Sequence, residues 1–472
     1  MITLNTDANN HLYVQLYLEL RSKILGGQLA AGTKLPSKRR LSEDLHISQN
    51  TVDTAYQQLV SEGYLNAVAK SGFYVEEILP ESMDKIPCAE RCTEKIEDTA
   101  EKEIIWDFGI DRVDTERFPF ATWVRLTKEI MHDENRTLLQ RAHPQGDRRL
   151  REAVTDYLWE YRGIRCGADR VLIGAGTEYL FQLLMQILGR QRVVALENPG
   201  YEKTAKILKK NEIATRYVPV GAAGIDLDLL ELSDADTAYV TPSHQFPLGV
   251  VMPVVARRRL LKWASEGCER YIIEDDYDHE FRYDGRPIPA LKGMDEYDRV
   301  IYIGTFSRSI APSVRISYMV MPDALMNRYR EEFLFYSCPV SRFEQDTLSR
   351  FLTEGHYGRH INRMKKLYRS RRDCLIRELG QTPFAWDADI SGTEAGLHLL
   401  VSVKNKAKAG LWKKSADESG VDMHELAEYC FDGIGKRFEG IFLFGYAHMN
   451  ESDMREGIAL LNQLWDESAP IE

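Results

Sequence analysis

No run of this 472-residue chain is long and apolar enough to span a bilayer as a helix. Stretches such as Val250-Val251-Met252 are cut short, here by Pro253. The opening residues MITLNTDANNHLYVQ have neither a basic stretch nor an apolar core, so no secretory signal is expected. Cysteine is sparse, with seven widely scattered residues. Cys88 and Cys92 are the closest pair, and no second pair stands at zinc-like spacing. That excludes a disulfide framework and a zinc ribbon, and predicts free thiols in a reducing cytoplasm. Internal repeats are absent. Positive charge is in deficit, at 61 Lys and Arg against 72 Asp and Glu, for a net charge of −11. Taken over the whole chain, that balance argues against nucleic acid.

The composition is that of a soluble globular protein, 44% hydrophobic and 28% charged. The length predicts two or three domains. The charge is uneven. Residues 1–75 hold seven basic and six acidic side chains, so the net deficit lies in the remainder. A small, near-neutral segment with clustered positive charge precedes an acidic body, which permits local DNA contact by the small part.

Apolar residues Tyr13, Leu16, Tyr17, Leu20, Ile24 and Leu25 recur at helical spacing. Gly26-Gly27 ends that helix. Ser37 is placed to cap a second helix running to about Leu45, and Ser48 a third over residues 49–62. Gly63 follows as its C′ residue. Two short strands, 64–67 and 72–75, flank Lys70-Ser71. The pattern predicts a winged helix-turn-helix over residues 1–77. Residues 78–105 are rich in charge and proline with no periodic apolar face, and read as a linker. Residues 106–472 alternate apolar strands with helices. Examples are Val171-Leu172-Ile173, Val193-Val194-Ala195-Leu196, Ala238-Tyr239-Val240, Tyr271-Ile272-Ile273 and Val300-Ile301-Tyr302-Ile303. Near-continuous apolar strands between helices predict a mainly parallel sheet covered on both faces. A smaller α/β lobe is expected over about 346–472.

Leu35-Pro36-Ser37-Lys38-Arg39-Arg40-Leu41, followed by Ser48-Gln49-Asn50-Thr51-Val52, resembles the GntR family of winged-helix regulators. Ser37, Lys38, Arg39 and Arg40 open the second helix, where amides and cationic side chains can meet phosphate. Gln49, Asn50 and Thr51 open the third, which would enter the major groove. Lys70 stands at the wing tip. The family pattern has arginine where this chain has Gln49.

In the second part, Gly174-Ala175-Gly176-Thr177 sits between a strand and a helix expected over 179–188. Small residues with free amides there can cradle a phosphate. Tyr201, after the next strand, offers a ring for stacking. Thr241-Pro242-Ser243-His244-Gln245-Phe246-Pro247-Leu248-Gly249 and Glu274-Asp275-Asp276-Tyr277-Asp278 close two more strands. Residues 304–318 then read GTFSRSIAPSVRISY. In this order the motifs resemble fold-type-I aminotransferases that bind pyridoxal 5′-phosphate (PLP), and most closely the MocR-type regulators of the GABA-responsive kind. The resemblance implies PLP held by Ala175, Gly176, Thr177, Tyr201, Asp275, Tyr277, Thr305, Ser307 and Arg315, with Asp275 on the pyridinium nitrogen. It also implies a homodimer, an amino acid or amine as effector, and transcriptional control without turnover.

Three positions depart from that pattern. Arg308 stands where a lysine would hold the cofactor covalently. His448, in Gly445-Tyr446-Ala447-His448, and Lys203 replace two arginines that would contact a ligand carboxylate. A lysine can lose its proton and attack a carbonyl, whereas a guanidinium stays charged. The expectation is a DNA-binding regulator whose aminotransferase-like domain binds PLP or a PLP adduct non-covalently, with no catalytic and no metal-binding residues. The alternatives are a regulator that has lost PLP and senses another anion, and an active aminotransferase, which Arg308 argues against.

Overall fold

The computed structural model describes residues 11–69, 71–77, 104–110, 112–132, 136–283, 289–381 and 387–468. The chain divides into two units, Met1–Glu101 and Lys102–Glu472.

In the first unit, helices Leu12–Leu25, Lys38–Leu45 and Gln49–Ser61 pack around Leu16, Leu20, Leu41, Val52, Tyr56 and Leu59. The Tyr56 hydroxyl donates to the Pro36 carbonyl at 3.0 Å, tying the third helix to the start of the second. Between those helices His46 takes a left-handed conformation (φ 53°), which turns the chain sharply. Ser37 and Ser48 cap the two helices, accepting from the Arg40 and Thr51 amides at 3.2 and 3.1 Å. The hairpin Leu65–Val68 and Gly72–Val75 is antiparallel, with Leu65 opposite Val75. The third helix stops one residue short of the sequence expectation, with Glu62 as its cap and Gly63 left-handed behind it.

The second unit is built on an eight-stranded sheet. Its spatial order is Val171–Gly174, Ser317–Val320, Val300–Thr305, Tyr271–Asp276, Thr237–Val240, Val193–Asn198, Ala214–Gly221 and Gly224–Ile225. The five strands from Val300–Thr305 to Ala214–Gly221 are mutually parallel, and Ser317–Val320 and Gly224–Ile225 run against their neighbours. Alternation along each strand serves two cores: Ile301 and Ile303 pack with one cluster, while Val300 and Tyr302 turn to clusters on the opposite face. That accounts for the unbroken apolar runs in the sequence.

The smaller lobe has a four-stranded antiparallel sheet ordered Ala388–Ser391, His398–Val403, Ile441–Gly445, His424–Glu425. Helices Lys406–Glu418 and Glu451–Glu467 cover it around Trp412, Phe442, Phe444 and Trp465. Its limits differ from those read in the sequence. Residue 346 falls within the helix Arg342–Thr353, whose Leu348 and Phe351 pack into the larger lobe's core. Phe108, Val113 and Phe281 join the smaller lobe instead, and Trp106–Asp107 pairs with Val421–Asp422. Most of the expected linker 78–105 lies outside the described residues. Among the described residues no helix is long and apolar enough to cross a membrane.

Candidate functional site

The C-terminal ends of the parallel strands converge on a cleft of about 220 Å³ lined by Thr177, Tyr201, Lys203, Asp275, Tyr277, Thr305, Ser307, Arg308 and Arg315. Strand ends of an open α/β sheet are where ligands bind. The helix behind Gly176 starts at Thr177, two residues before the sequence expectation, so the Thr177 amide belongs to its first turn. Gly176 is left-handed (φ 99°), and a Cβ there would collide with the Arg315 guanidinium. Arg315 Nη2 lies 3.4 Å from the Ala175 carbonyl and 2.9 Å from Glu178 Oε2. Ala175 and Gly176 thus adjoin the cleft through Arg315. Lys203 Nζ is 3.7 Å from Glu178 and 5.8 Å from the Tyr201 ring centre.

At the cleft floor Asp275 is buried. Its Oδ2 accepts from the Tyr239 hydroxyl. Its Oδ1 has no hydrogen-bond partner among the described residues. Burial pushes the Asp275 carboxyl up to about 7, against the pull of the Tyr239 bond and of Arg308. The Tyr277 hydroxyl lies 3.1 Å from His244 Nδ1, which is 2.8 Å from Asp278. Thr305 Oγ1 accepts from the Ser307 amide at 3.1 Å and pairs with the Ser317 hydroxyl at 2.8 Å. The buried Ser307 Oγ has no hydrogen-bond partner among the described residues. Arg308 Nη1 donates to the Ile110 carbonyl at 2.6 Å, and its guanidinium carbon lies 5.9 Å from the centre of the Tyr277 ring.

His448 does not line this cleft. Its Nε2 stands 3.5 Å from Asp107, which also pairs with Arg112 at 2.9 Å. Burial alone would raise the Asp107 carboxyl, but His448, the Gly109 amide and Arg112 hold it below its ordinary value. Sequence reasoning missed Glu178, Thr241, Phe246 and Pro312, which also line the cleft. Each sits inside or next to a motif that drew notice, and that adjacency was the available signal. Tyr239 gave none, since within an apolar strand it reads as core.

On the winged helix, Ser37, Arg39, Arg40, Gln49 and Asn50 are exposed. Among the described residues, the Arg39 side chain makes only a surface pair with Glu43, at 3.0 Å. Lys38 is turned inward: its ammonium pairs with Asp53 and lies 5.1 Å from the Phe73 ring centre. The half-buried Thr51 pairs its hydroxyl with that of Ser48 at 2.8 Å. Both side chains are committed to the helix-turn-helix itself, and a phosphate or base would have to compete for them. Lys70 lies outside the described residues.

Comparison with known proteins separates the two units in the same way. Residues 12–75 match the family of bacterial regulatory proteins of the gntR type, and residues 101–461 match the aminotransferase class I and II family. Over 98% of its length the chain is 37% identical to an uncharacterized HTH-type transcriptional regulator, YdeL, of Bacillus subtilis, and covers 98% of that protein. It is 31% identical to the probable rhizopine catabolism regulatory protein MocR of Rhizobium meliloti, with 97% of this chain and 94% of that one covered. Among solved structures, the kynurenine aminotransferase of Pyrococcus horikoshii superposes on 78% of this chain and 92% of its own, with a TM-score of 0.67 at 24% identity. At that identity the likeness shows the fold.

Proposed function

The chain belongs to the MocR-type transcriptional regulators, a GntR-type winged helix joined to a class I/II aminotransferase domain, and from that premise we propose that its second domain senses a ligand without turning it over. One observation carries the proposal: the residue where the cofactor lysine is expected is Arg308, its guanidinium donating to a backbone carbonyl. A guanidinium neither attacks a carbonyl nor shuttles a proton at ordinary pH.

The cleft fits PLP held without a bond to the protein. Two buried polar atoms, Asp275 Oδ1 and Ser307 Oγ, lack hydrogen-bond partners among the described residues, and Gly176 leaves room beside Arg315 that a side chain would fill. PLP, when bound, supplies a reactive carbonyl and an electron-withdrawing ring. Asp275 would hold a proton on the ring nitrogen. Tyr277 would face the ring hydroxyl, and Tyr201 would offer a face for stacking. The amides at Gly176-Thr177, with Thr305, Ser307 and Arg315, would hold the phosphate. The effector would be an amino acid or amine, and the working form a homodimer. One observation favours a second reading, in which the chain has lost PLP and senses another anion: the Glu178 carboxylate already sits on Arg315, where a phosphate would have to share it.

Two measurements test these readings. Wild-type protein mixed with PLP should show a cofactor absorbance band that gel filtration removes even after borohydride. Arg308→Lys should keep cofactor absorbance through gel filtration after borohydride, moved to shorter wavelength, because the lysine amine can form a carbon–nitrogen double bond that borohydride reduces to a stable single bond. Retention by the wild type would refute the role given to Arg308, and absence of any PLP binding in both proteins would favour the second reading.

For the DNA reader, within the domain proposed at 1–77, Arg39→Ala should weaken binding to all duplex sequences alike. It should also reduce the slope of log K against log salt by about 0.9, the value for one lost phosphate contact. Unchanged affinity and slope would remove Arg39 from the interface.

A further inference from the structure

A second cavity, of about 130 Å³, is lined in part by His244, whose Nδ1 touches the Tyr277 hydroxyl of the first cleft. Most charges on its wall are matched. Arg162 pairs with Asp276 at 2.7 Å and Asp278 with His244 at 2.8 Å, while Arg282, whose buried Nε has no hydrogen-bond partner among the described residues, faces the exposed Glu394 at 3.9 Å.

Two are not. Glu280, with a side chain 5% exposed, takes hydrogen bonds from the Tyr157 and Tyr357 hydroxyls on Oε1 at 2.9 and 2.6 Å. Its Oε2 has no hydrogen-bond partner among the described residues, and His279 Nδ1 lies 3.6 Å away. Lys365 reaches the cavity from the helix His356–Gly380. It is half-buried and makes no hydrogen bond or ion pair with a described residue. Burial pushes its ammonium pKa down, with Glu280 only partly offsetting it. A buried carboxylate oxygen without a donor and a half-buried ammonium without an acceptor are each unfavourable alone.

We infer that this cavity binds a free amino acid as its zwitterion, with the ammonium group on Glu280 Oε2 and the carboxylate on Lys365. A simple anion would leave Glu280 unmatched, and a simple amine would leave Lys365 unmatched. The rings of Tyr157 and Tyr357, with Ile361, form an apolar wall for the rest of the molecule. The site is separate from the cofactor-like cleft and does not depend on whether PLP binds there.

The test is equilibrium dialysis of the full chain against each common amino acid, followed by calorimetry with the tightest binder. Saturable binding by at least one is expected. Lys365→Met should weaken it about tenfold or more, the size of one lost charge-assisted hydrogen bond. Lys365 supports no other group, so this variant should fold. Glu280→Gln should weaken it to a similar degree while still accepting from the two tyrosines. Removing the carboxylate or the ammonium group from the ligand should have the same effect. Asp275→Asn, in the other cleft, should leave the affinity unchanged. The inference is overturned if no amino acid saturates, if binding survives Lys365→Met, or if Asp275→Asn abolishes it.

Discussion

Replacing Arg162 by methionine is expected to lower the unfolding free energy of the larger domain by about 3–5 kcal/mol. The side chain is 3% exposed, and its Nε forms an ion pair at 2.7 Å with Asp276, itself 1% exposed. Arg162 Nη2 also donates to Ser243 at 2.7 Å, while the Tyr302 hydroxyl donates to Asp276 at 2.6 Å. Burial opposes ionisation of Asp276, and the guanidinium overcomes it, holding the carboxyl below its ordinary value. Without Arg162 the carboxylate stays buried with only hydroxyl donors and a histidine 3.5 Å away. Removing one member of a buried pair costs more than removing both. Arg162→Met with Asp276→Asn should therefore recover much of the loss. Urea unfolding of the full chain, followed at the larger domain's transition, gives both values. A single variant within about 1 kcal/mol of the wild type would mean that the pair is far better solvated than its burial indicates.

Next to it in sequence, Asp275 should reveal itself through pH. Its folded pKa is about 7 because burial disfavours the charged form, whereas an unfolded aspartate titrates near 4. Between those values the folded chain holds a proton that the unfolded chain has released. Stability from this group is full below pH 4, falls as pH rises, and is lost by about pH 7. Asparagine does not titrate, so the stability gap between Asp275→Asn and the wild type should shift by about 4 kcal/mol in the variant's favour across that window. Glu197, also buried and pushed up to about 7 chiefly by burial, adds much the same slope to both proteins, less the small part of its shift that comes from the Asp275 charge. Parallel pH profiles would show that Asp275 titrates normally.

Much of this architecture was legible in the sequence because local chemistry and burial agree. The sheet strands are apolar on both sides since both faces are covered, and the winged helix carries its serine caps and Gly63 where the helices turn. The lobe boundary was not legible. Phe108 and Val113 join a core made by residues some three hundred positions later, and no local pattern encodes such a pairing. The helix around residue 346 looks like the start of a new lobe only because its charged face hides Leu348 and Phe351. In the cleft, residue types marked Asp275, Tyr277, Ser307 and Arg315, but pairings across elements decided the rest. His448 faces Asp107, and Lys38 faces Asp53. A sequence displays the charge of a side chain and leaves its partner unstated.

Arg308 also has a mechanical side. Ile110, whose carbonyl it holds, packs with Leu400, Leu426 and Leu443 of the smaller lobe, while Arg308 follows a strand of the larger one. The side chain is thus a strut between lobes. An N–H committed to that carbonyl is unavailable to a ligand oxygen, so a ligand that recruited it would undo the strut. It would cost the lobes one of several ties, beside the His398–Pro247 and Asn198–Phe431 hydrogen bonds.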